Sequence, residues 1–345
     1  MTRIMLPPEW TLQSGMMLTW PHCDSYWGDM LEDIDNVFVS VAKAAAERQR
    51  VVVTCRDVQH EQHITQLMQL AKVNLANVSF YHAPLDDIWV RDHGPITVMK
   101  DAEPMIMDFK FNGWGGKYPA ENDNLITRTL HAKGCFNRTP MQSVEMILEG
   151  GGIEVDGHGT LLTTTSCLLA KTRNPELTQA EIESRLKTMF GLERVLWLEH
   201  GDLSGDDTDG HIDTIARFVD PHTICYVSCT DPEDEHFETF KKMEQQLQTF
   251  TDYKGNPYTL IPLPWPKAKY AEFDGRRLPA TYANFLIING AVLAPTYDDP
   301  ADEEALQTLQ DCFPDREIIP IPSTAVIQWY GSVHCMTMQL PYGVL

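Results

Sequence analysis

The sequence predicts a single α/β domain spanning residues 1–345. Three observations carry that prediction. The order strand, strand, helix, strand recurs about five times along the chain, read from hydrophobic periodicity. Hairpin signals recur inside these units, the strongest being Asn289-Gly290 between two apolar runs. No Ser/Gly-rich stretch, charge block or low-complexity segment marks a linker. A doubly wound nucleotide-binding sheet fits poorly, because it needs longer parallel βαβ units. Glu149-Gly-Gly-Gly also lacks both the spacing of a dinucleotide fingerprint and the Gly-Lys-Ser/Thr ending of a phosphate loop.

The elements follow in order. Residues 16–20 read as a strand stopped by Pro21. Leu31, Ile34, Phe38, Val41 and Ala45 have helical spacing within 28–48. Strands are expected at 50–55, 78–82, 96–99 and 104–111, with a helix over 61–72. The glycines of Phe111-Asn-Gly-Trp-Gly-Gly116 demand a loop, and a helix follows over 122–132. Strands at 144–148, 152–155 and 160–165 include a hairpin at Asp156-Gly157. Thr178 and Glu181 form a capping box for a helix that runs to 190 and ends at Gly191. Strands at 195–198, 212–219, 223–227 and 258–263 surround a polar helix over 232–250. The 284–288 and 291–294 hairpin, a helix over 301–312, a strand at 317–321 and a last strand at 334–339 complete the chain.

Composition narrows the function. The formal charge is −22, from 49 acids against 27 bases, which argues against nucleic acid, whose binding rests on Lys/Arg contacts to phosphate. A small cationic substrate is compatible with this balance, and so is an acidic surface that only aids solubility. The eight cysteines are irregularly spaced, which points to reduced thiols in a cytoplasm rather than a disulfide framework. The N-terminal apolar run is short and broken by Pro7-Pro8, unlike a secretory signal. No apolar stretch of about 18 residues predicts a membrane span.

Four places could carry chemistry. If 212–219 is a strand, His211 and Asp213 share a face and reach one pocket; solvated loop polars are the alternative. Alternation puts Asp87, Trp89 and Arg91 on one face, where an acid beside an indole suits a delocalised cation, or an ion-pair cluster. Glu149 ends an apolar run before three glycines, and a carboxylate there is costly unless it is paired. Cys335 follows His334 near the C-terminus; alone, a cysteine is usually a small buried hydrophobe. Gly-x-Ser-x-Gly and Ser-x-x-Lys are absent. A metal is not expected, since Cys225-x3-Cys229 has no second pair and there is no His-Glu-x-x-His.

Taken together, these places resemble the guanidine-modifying superfamily, most closely its agmatine deiminase branch and the related bacterial peptidylarginine deiminases. The likeness covers nearly the whole chain. It begins at Leu6-Pro-Pro-Glu-Trp10 and Trp20-Pro-His22, then passes through Asp87-x-Trp-x-Arg-Asp-x-Gly-Pro95 and Phe111-Asn-x-Trp-Gly-Gly116. Glu149-Gly-Gly, Asp156-Gly-x-Gly-Thr160, Arg173-Asn-Pro175 and Asp207-Thr-x-Gly-His-x-Asp213 follow, and Tyr282-Ala-Asn-Phe285 and His334-Cys335-x-Thr337 end it.

The resemblance implies a five-bladed α/β propeller (pentein) of ββαβ modules with pseudo-five-fold symmetry around a central site. It implies Cys335 as nucleophile, His211 as general acid/base, Asp87 and Asp213 on the guanidinium nitrogens, and Glu149 supporting His211 and the substrate. No metal or organic cofactor is implied, and a homodimer is an expectation. A guanidinium is planar and cationic, so carboxylates can bind it bidentately; its charge also lowers the pKa of a facing thiol. One departure stands out. Trp329-Tyr330-Gly331-Ser332-Val333 replaces the family's Gly-Gly-Gly-Asn-Ile before His-Cys, and Met338 replaces a Gln, which makes the wall before the thiol bulkier. For the ammonium tail of agmatine, Asp207, Trp89 and Trp114 are the candidate partners. For the carboxylate of free arginine only Arg91 was singled out, with a structural role as its other reading. The alternatives are an arginine or peptidylarginine deiminase, an amidinotransferase on the same scaffold, and a non-catalytic binding propeller.

Overall fold

The computed structural model describes residues 3–345; Met1 and Thr2, the start of the run weighed as a leader, lie outside the described residues. The chain forms five mixed sheets. After the short strand β1 (Ile4–Met5), strands β2 (Gln13–Thr19), β3 (Arg50–Cys55) and β4 (Val78–His82) run parallel, joined through helices Leu31–Ala46 and Val58–Leu70. The next three sheets repeat one unit: an antiparallel pair, then a helix, then a strand parallel to the second member. The pair β5 (Ile96–Lys100) and β6 (Glu103–Lys110) is joined by β7 (Met141–Ile147), with β1 on the outer side of β5. The pair β8 (Glu154–Val155) and β9 (Thr160–Thr164) is joined by β10 (Arg194–Leu198). The pair β11 (Ala216–Asp220) and β12 (Thr223–Val227) is joined by β13 (Thr259–Leu263). The fifth sheet has β14 (Leu286–Ile288), β15 (Ala291–Thr296) and β16 (Glu317–Pro322). Finally β17 (Met338–Pro341) pairs antiparallel with β2, so the first sheet gains the same unit from the far end of the chain.

Local chemistry sets the boundaries. Thr178 and Glu181 close a capping box on helix Gln179–Phe190, and Gly191 ends it in the left-handed conformation at φ 67°, as the spacing predicts. Asp57 caps the second helix by accepting the His60 N–H, which starts it at Val58, three residues before the predicted 61. The polar helix predicted over 232–250 is shorter, Phe237–Leu247.

Burial of apolar side chains joins neighbouring sheets, at about 1.5–3 kcal/mol for each large one. One core cluster packs Leu18, Phe38 and Val53 of the first unit with Leu286 and Leu293 of the fifth. A second joins Phe218, Ile224 and Phe240 of the fourth with Phe285 and Val292 of the fifth. A third joins Ile106 and Phe109 of the second with Leu161 and Phe190 of the third, and also holds Met17 and Val52. Among the described residues no helix is long and apolar enough to cross a membrane.

Two predicted strands begin later than expected. Residues 212–214 form a 3-10 turn, and the strand begins only at Ala216. The reason is local: the Asp206 and Thr208 side chains accept the Gly210 and His211 N–H groups, and the Thr214 hydroxyl donates to the His211 carbonyl. The last strand starts at Met338 rather than 334, because Met336 N–H donates to Ser332 O and the Thr337 hydroxyl to Val333 O, folding 332–337 into a turn.

Candidate active site

Three turns and a strand end deliver the chemistry. Asp92 N–H donates to Trp89 O and Gly94 N–H to Val90 O, which makes Val90–His93 a helical turn. The alternation expected to put Asp87, Trp89 and Arg91 on one face is therefore wrong for Arg91. Asp87 and Trp89 line one cavity. Arg91 lines a different cavity, together with Glu9, Glu154 and His334. The two cavities lie back to back, since the chain neighbours Asp92 and Cys335 belong to the first.

That first cavity is lined by three acids, Asp87, Asp92 and Asp207, by Trp89, Trp114, Tyr118, Trp329 and Tyr330, and by the thiol of Cys335; none of its lining residues is basic. Asp87 Oδ1 accepts from Trp27 Nε1 at 3.0 Å and from its neighbour Ile88 N–H at 2.8 Å. Burial pushes its carboxyl up to about 6. Trp114 Nε1 donates to Asp92 Oδ2 at 2.9 Å. Tyr118 donates its hydroxyl to Asp207 Oδ2 at 2.5 Å, and Lys117 Nζ lies 3.2 Å from Asp207 Oδ1.

Asp92 was not singled out from the sequence, yet it sits at the centre. Its Oδ1 accepts from Gly151 N–H at 3.1 Å and lies 3.5 Å from His211 Nδ1. Burial pushes this carboxyl up to about 6. His211 is fully buried; burial lowers its basicity, but Asp92, Cys167 and Glu149 outweigh burial and raise its pKa well above the usual imidazole range. Glu149, Cys167 and His211 bring their donor atoms within 4.8 Å of one another. Cys167, too, was missed.

Glu149 is tied by Arg173, whose Nε donates to both carboxylate oxygens at 2.9 and 2.8 Å. Arg173 stood in a matched motif but had been given no role. The signal was available: a carboxylate at a buried strand end calls for a cation.

Asp213 and His211 do converge, through the turn rather than a strand face. Asp213 Oδ2 lies 2.7 Å from His334 Nδ1 and 3.7 Å from Cys335 Sγ. Asn284 Nδ2 donates to Cys335 Sγ at 3.2 Å, while its Oδ1 accepts from His334 N–H at 3.0 Å. Burial, then Asp213 and Asp92, push the Cys335 thiol well above its usual range. The site therefore sets a thiol among acids, and a cation brought among them would reverse the sign of the field at sulfur.

A buried thiol, an imidazole whose pKa is raised by neighbouring acids, and a cavity of acids and aromatics thus lie together. The chain matches the Porphyromonas-type peptidyl-arginine deiminase family over residues 5–341 and belongs to it. An agmatine deiminase of Pseudomonas aeruginosa (strain LESB58) is 33% identical, covering 97% of this chain and 95% of its own. A Porphyromonas gingivalis structure, provisionally named an arginine deiminase, is 46% identical with TM-score 0.92, covering 99% of this chain and 100% of its own. A cysteine-to-serine variant of the C. jejuni agmatine deiminase with substrate bound is 35% identical with TM-score 0.91, covering 100% and 98%.

Proposed function

We propose that this protein hydrolyses the guanidinium of agmatine to N-carbamoylputrescine and ammonia, with Cys335 as nucleophile. The observation that carries the reading is the cavity over Cys335, with three acids, an aromatic wall and no basic lining residue. Such a lining favours a substrate cationic at both ends and gives the carboxylate of free arginine no partner. The agmatine deiminases among its relatives support the same substrate. We further propose that residues 1–345 form one domain in which the five sheets are blades of an α/β propeller. Glu9 supports this: it contacts Ile287 N–H of β14, Arg217 of β11, Arg91 before β5 and His334 before β17, and Arg217 in turn pairs with Glu154 of β8. Four units thus reach this carboxylate directly, and the third reaches it through Arg217. Cysteines that are all unpaired fit a reducing cytoplasm.

In the proposed mechanism, the guanidinium docks on Asp87 and Asp213 and the Cys335 proton leaves as the cation arrives. The thiolate attacks the guanidine carbon to give a tetrahedral adduct. His211 as imidazolium protonates the departing nitrogen, which leaves as ammonia. The S-alkylthiouronium remains on the enzyme. Neutral His211 then takes a proton from water, the hydroxide adds to the same carbon, collapse expels the thiolate, and the hydroxyl proton passes to solvent to leave the neutral ureido product. Glu149 holds His211 in its charged form. Asp207, Trp89 and Trp114 receive the ammonium tail.

The test is turnover of agmatine, free arginine and an arginine peptide by purified protein, following ureido product and ammonia. No ureido product from any of the three removes the hydrolase reading, and preference for arginine or the peptide moves the substrate. Cys335→Ala should abolish turnover while agmatine binding stays measurable.

A further inference from the structure

The nucleophile's turn rests on a carboxylate from the start of the chain. Glu9 Oε2 lies 2.7 Å from His334 Nε2, and His334 Nδ1 lies 2.7 Å from Asp213 Oδ2. That same Asp213 oxygen is 3.7 Å from Cys335 Sγ. The four side chains are buried: Glu9 is 8% exposed, His334 2%, Asp213 0% and Cys335 4%. Glu9 is itself fixed by Ile287 N–H at 2.7 Å, Arg217 Nη2 at 3.1 Å and Arg91 Nη2 at 3.7 Å.

A neutral imidazole carries one N–H. An acceptor oxygen at each nitrogen of His334 calls for two. Burial and the guanidiniums of Arg217 and Arg91 outweigh Glu9 and Asp213 and draw the His334 pKa below the usual imidazole range; against that pull stand the two acceptor oxygens, each 2.7 Å from a ring nitrogen. Burial pushes the Glu9 carboxyl up, but His334, Arg217 and Arg91 outweigh burial and hold it well below the usual carboxylate range. Glu9 is therefore ionised, and both imidazole contacts close only if His334 is doubly protonated.

We infer that Glu9 and His334 are positioning residues for the reaction: Glu9 holds His334 as the imidazolium, and His334 fixes Asp213 and sets a positive charge beside the Cys335 sulfur. The inference rests on the reading of Cys335 as the nucleophile. The other groups facing the sulfur are Asp213 and Asp92, the hydroxyl of Tyr297 and the amide of Asn284. Both acids oppose the thiolate, so a cation on His334 is the element that offsets them until the substrate arrives. The arrangement also explains a sequence feature with no other assignment, the acid in Leu6-Pro-Pro-Glu-Trp10. It reaches the site across more than three hundred residues of chain because the N-terminal segment runs to the point where the units meet.

Glu9→Gln keeps the side chain's shape but cannot hold an imidazolium. The first experiment is the pH dependence of iodoacetamide alkylation of Cys335 in the substrate-free protein, followed by mass spectrometry of its peptide. The midpoint should rise by about one pH unit in Glu9→Gln, which is about tenfold slower alkylation at neutral pH. With agmatine, kcat should fall about tenfold or more while KM stays within about threefold, as expected where an interaction acts on the transition state. Glu9→Asp should recover part of both. An unshifted alkylation profile in a folded Glu9→Gln protein overturns the inference. Alkylation needs no substrate, so that outcome stands apart from a failure to turn over agmatine. Should Glu9→Gln not fold, the wild-type protein decides: nitrogen-15 NMR of the His334 ring should show both nitrogens protonated at neutral pH, and a single protonated nitrogen overturns the inference.

Discussion

Arg173 binds Glu149 and the His211 loop at once: Nε donates to both Glu149 oxygens, while Nη1 reaches Asp209 Oδ2 and Nη2 reaches the Thr208 carbonyl, each at 2.7 Å. Both partners of the pair are 1% exposed. Arg173→Met leaves Glu149 buried and unpaired, and should cost about 3–5 kcal/mol in urea unfolding. Arg173→Lys keeps the charge without the planar fork. It should recover much of that stability but little of kcat, because the loop carrying His211 loses its anchor. Lysine restoring both would show that charge alone is needed.

Gly151 is the point where His211, Asp92 and Asp213 crowd together. A Cβ there would stand 2.5 Å from His211 Nδ1, 2.9 Å from Asp92 Oδ1 and 3.0 Å from Asp213 Oδ2. Gly151→Ala must therefore move at least one of them. We expect kcat/KM to fall by about a hundredfold or more, as when catalytic geometry slips by about 1 Å. Stability should drop by only about 1–3 kcal/mol, the usual cost of overpacking. Circular dichroism and kcat/KM on one preparation check both.

Asp87 trades stability for its charge. Its carboxyl is raised from 3.8 to about 6, chiefly by burial. Both of its accepted hydrogen bonds, from Trp27 and Ile88, fall on Oδ1. Asn at this position keeps them and replaces only the free oxygen. A raised folded-state pKa means the penalty for ionising Asp87 develops as pH rises from about 4 to about 6 and persists above. Asp87→Asn should match the wild type near pH 4 and exceed it increasingly up to pH 6. The plateau should be on the order of 1–2 kcal/mol, discounted from the full shift because the side chain borders an open cavity. Agmatine binding should weaken in the variant. In the wild type KM should rise as pH falls through about 6, where Asp87 and Asp92 take up protons and lose their attraction for the cation. Thermal unfolding across this range, with KM beside it, measures both.

How much of this was legible in the sequence depends on where each signal resides. The capping box at Thr178 and the Asn289-Gly290 hairpin are set by neighbours in the chain, and both stand where they were expected. The repeating strand–strand–helix–strand order was also readable, though not that Met338–Pro341 completes the first sheet, which depends on pairing across the whole chain. At the site, residue type and resemblance point to Cys335 and Asp87, which line one cavity, and to His211 and Glu149, whose donor atoms lie within 4.8 Å of each other. The strand expected over 212–219 starts only at Ala216, because Asp206 and Thr208 capture the backbone before it. Arg91 was misplaced for a similar reason, since one helical turn sends neighbouring residues to opposite cavities. Asp92, Arg173, Cys167 and Glu9 act through partners 22 to 325 positions away. No spacing rule reaches that far.

The bulky segment before the nucleophile is where this chain's substrate range should be decided. Tyr330 lines the cavity with φ 77°, a conformation that costs a non-glycine residue of order 1 kcal/mol or more. The neighbouring Gly331 leaves no slack, because a Cβ there would lie 2.2 Å from the Trp89 ring. From outside, the Arg276 guanidinium stacks 4.2 Å from the Tyr330 ring centroid and 5.9 Å from that of Trp329, and Phe273 stacks on Trp329 at 5.3 Å. This wall closes one side of the cavity that holds Cys335. Tyr330→Gly relieves the backbone and removes the ring. Agmatine kcat/KM should fall about tenfold with the loss of aromatic contact to the tail, and turnover of N-benzoyl-arginine amide should rise relative to agmatine by at least as much. Gly331→Ala should instead displace Trp89 and depress both substrates together. Equal loss on both substrates in Tyr330→Gly would mean that the wall supports the site without setting the length of the tail.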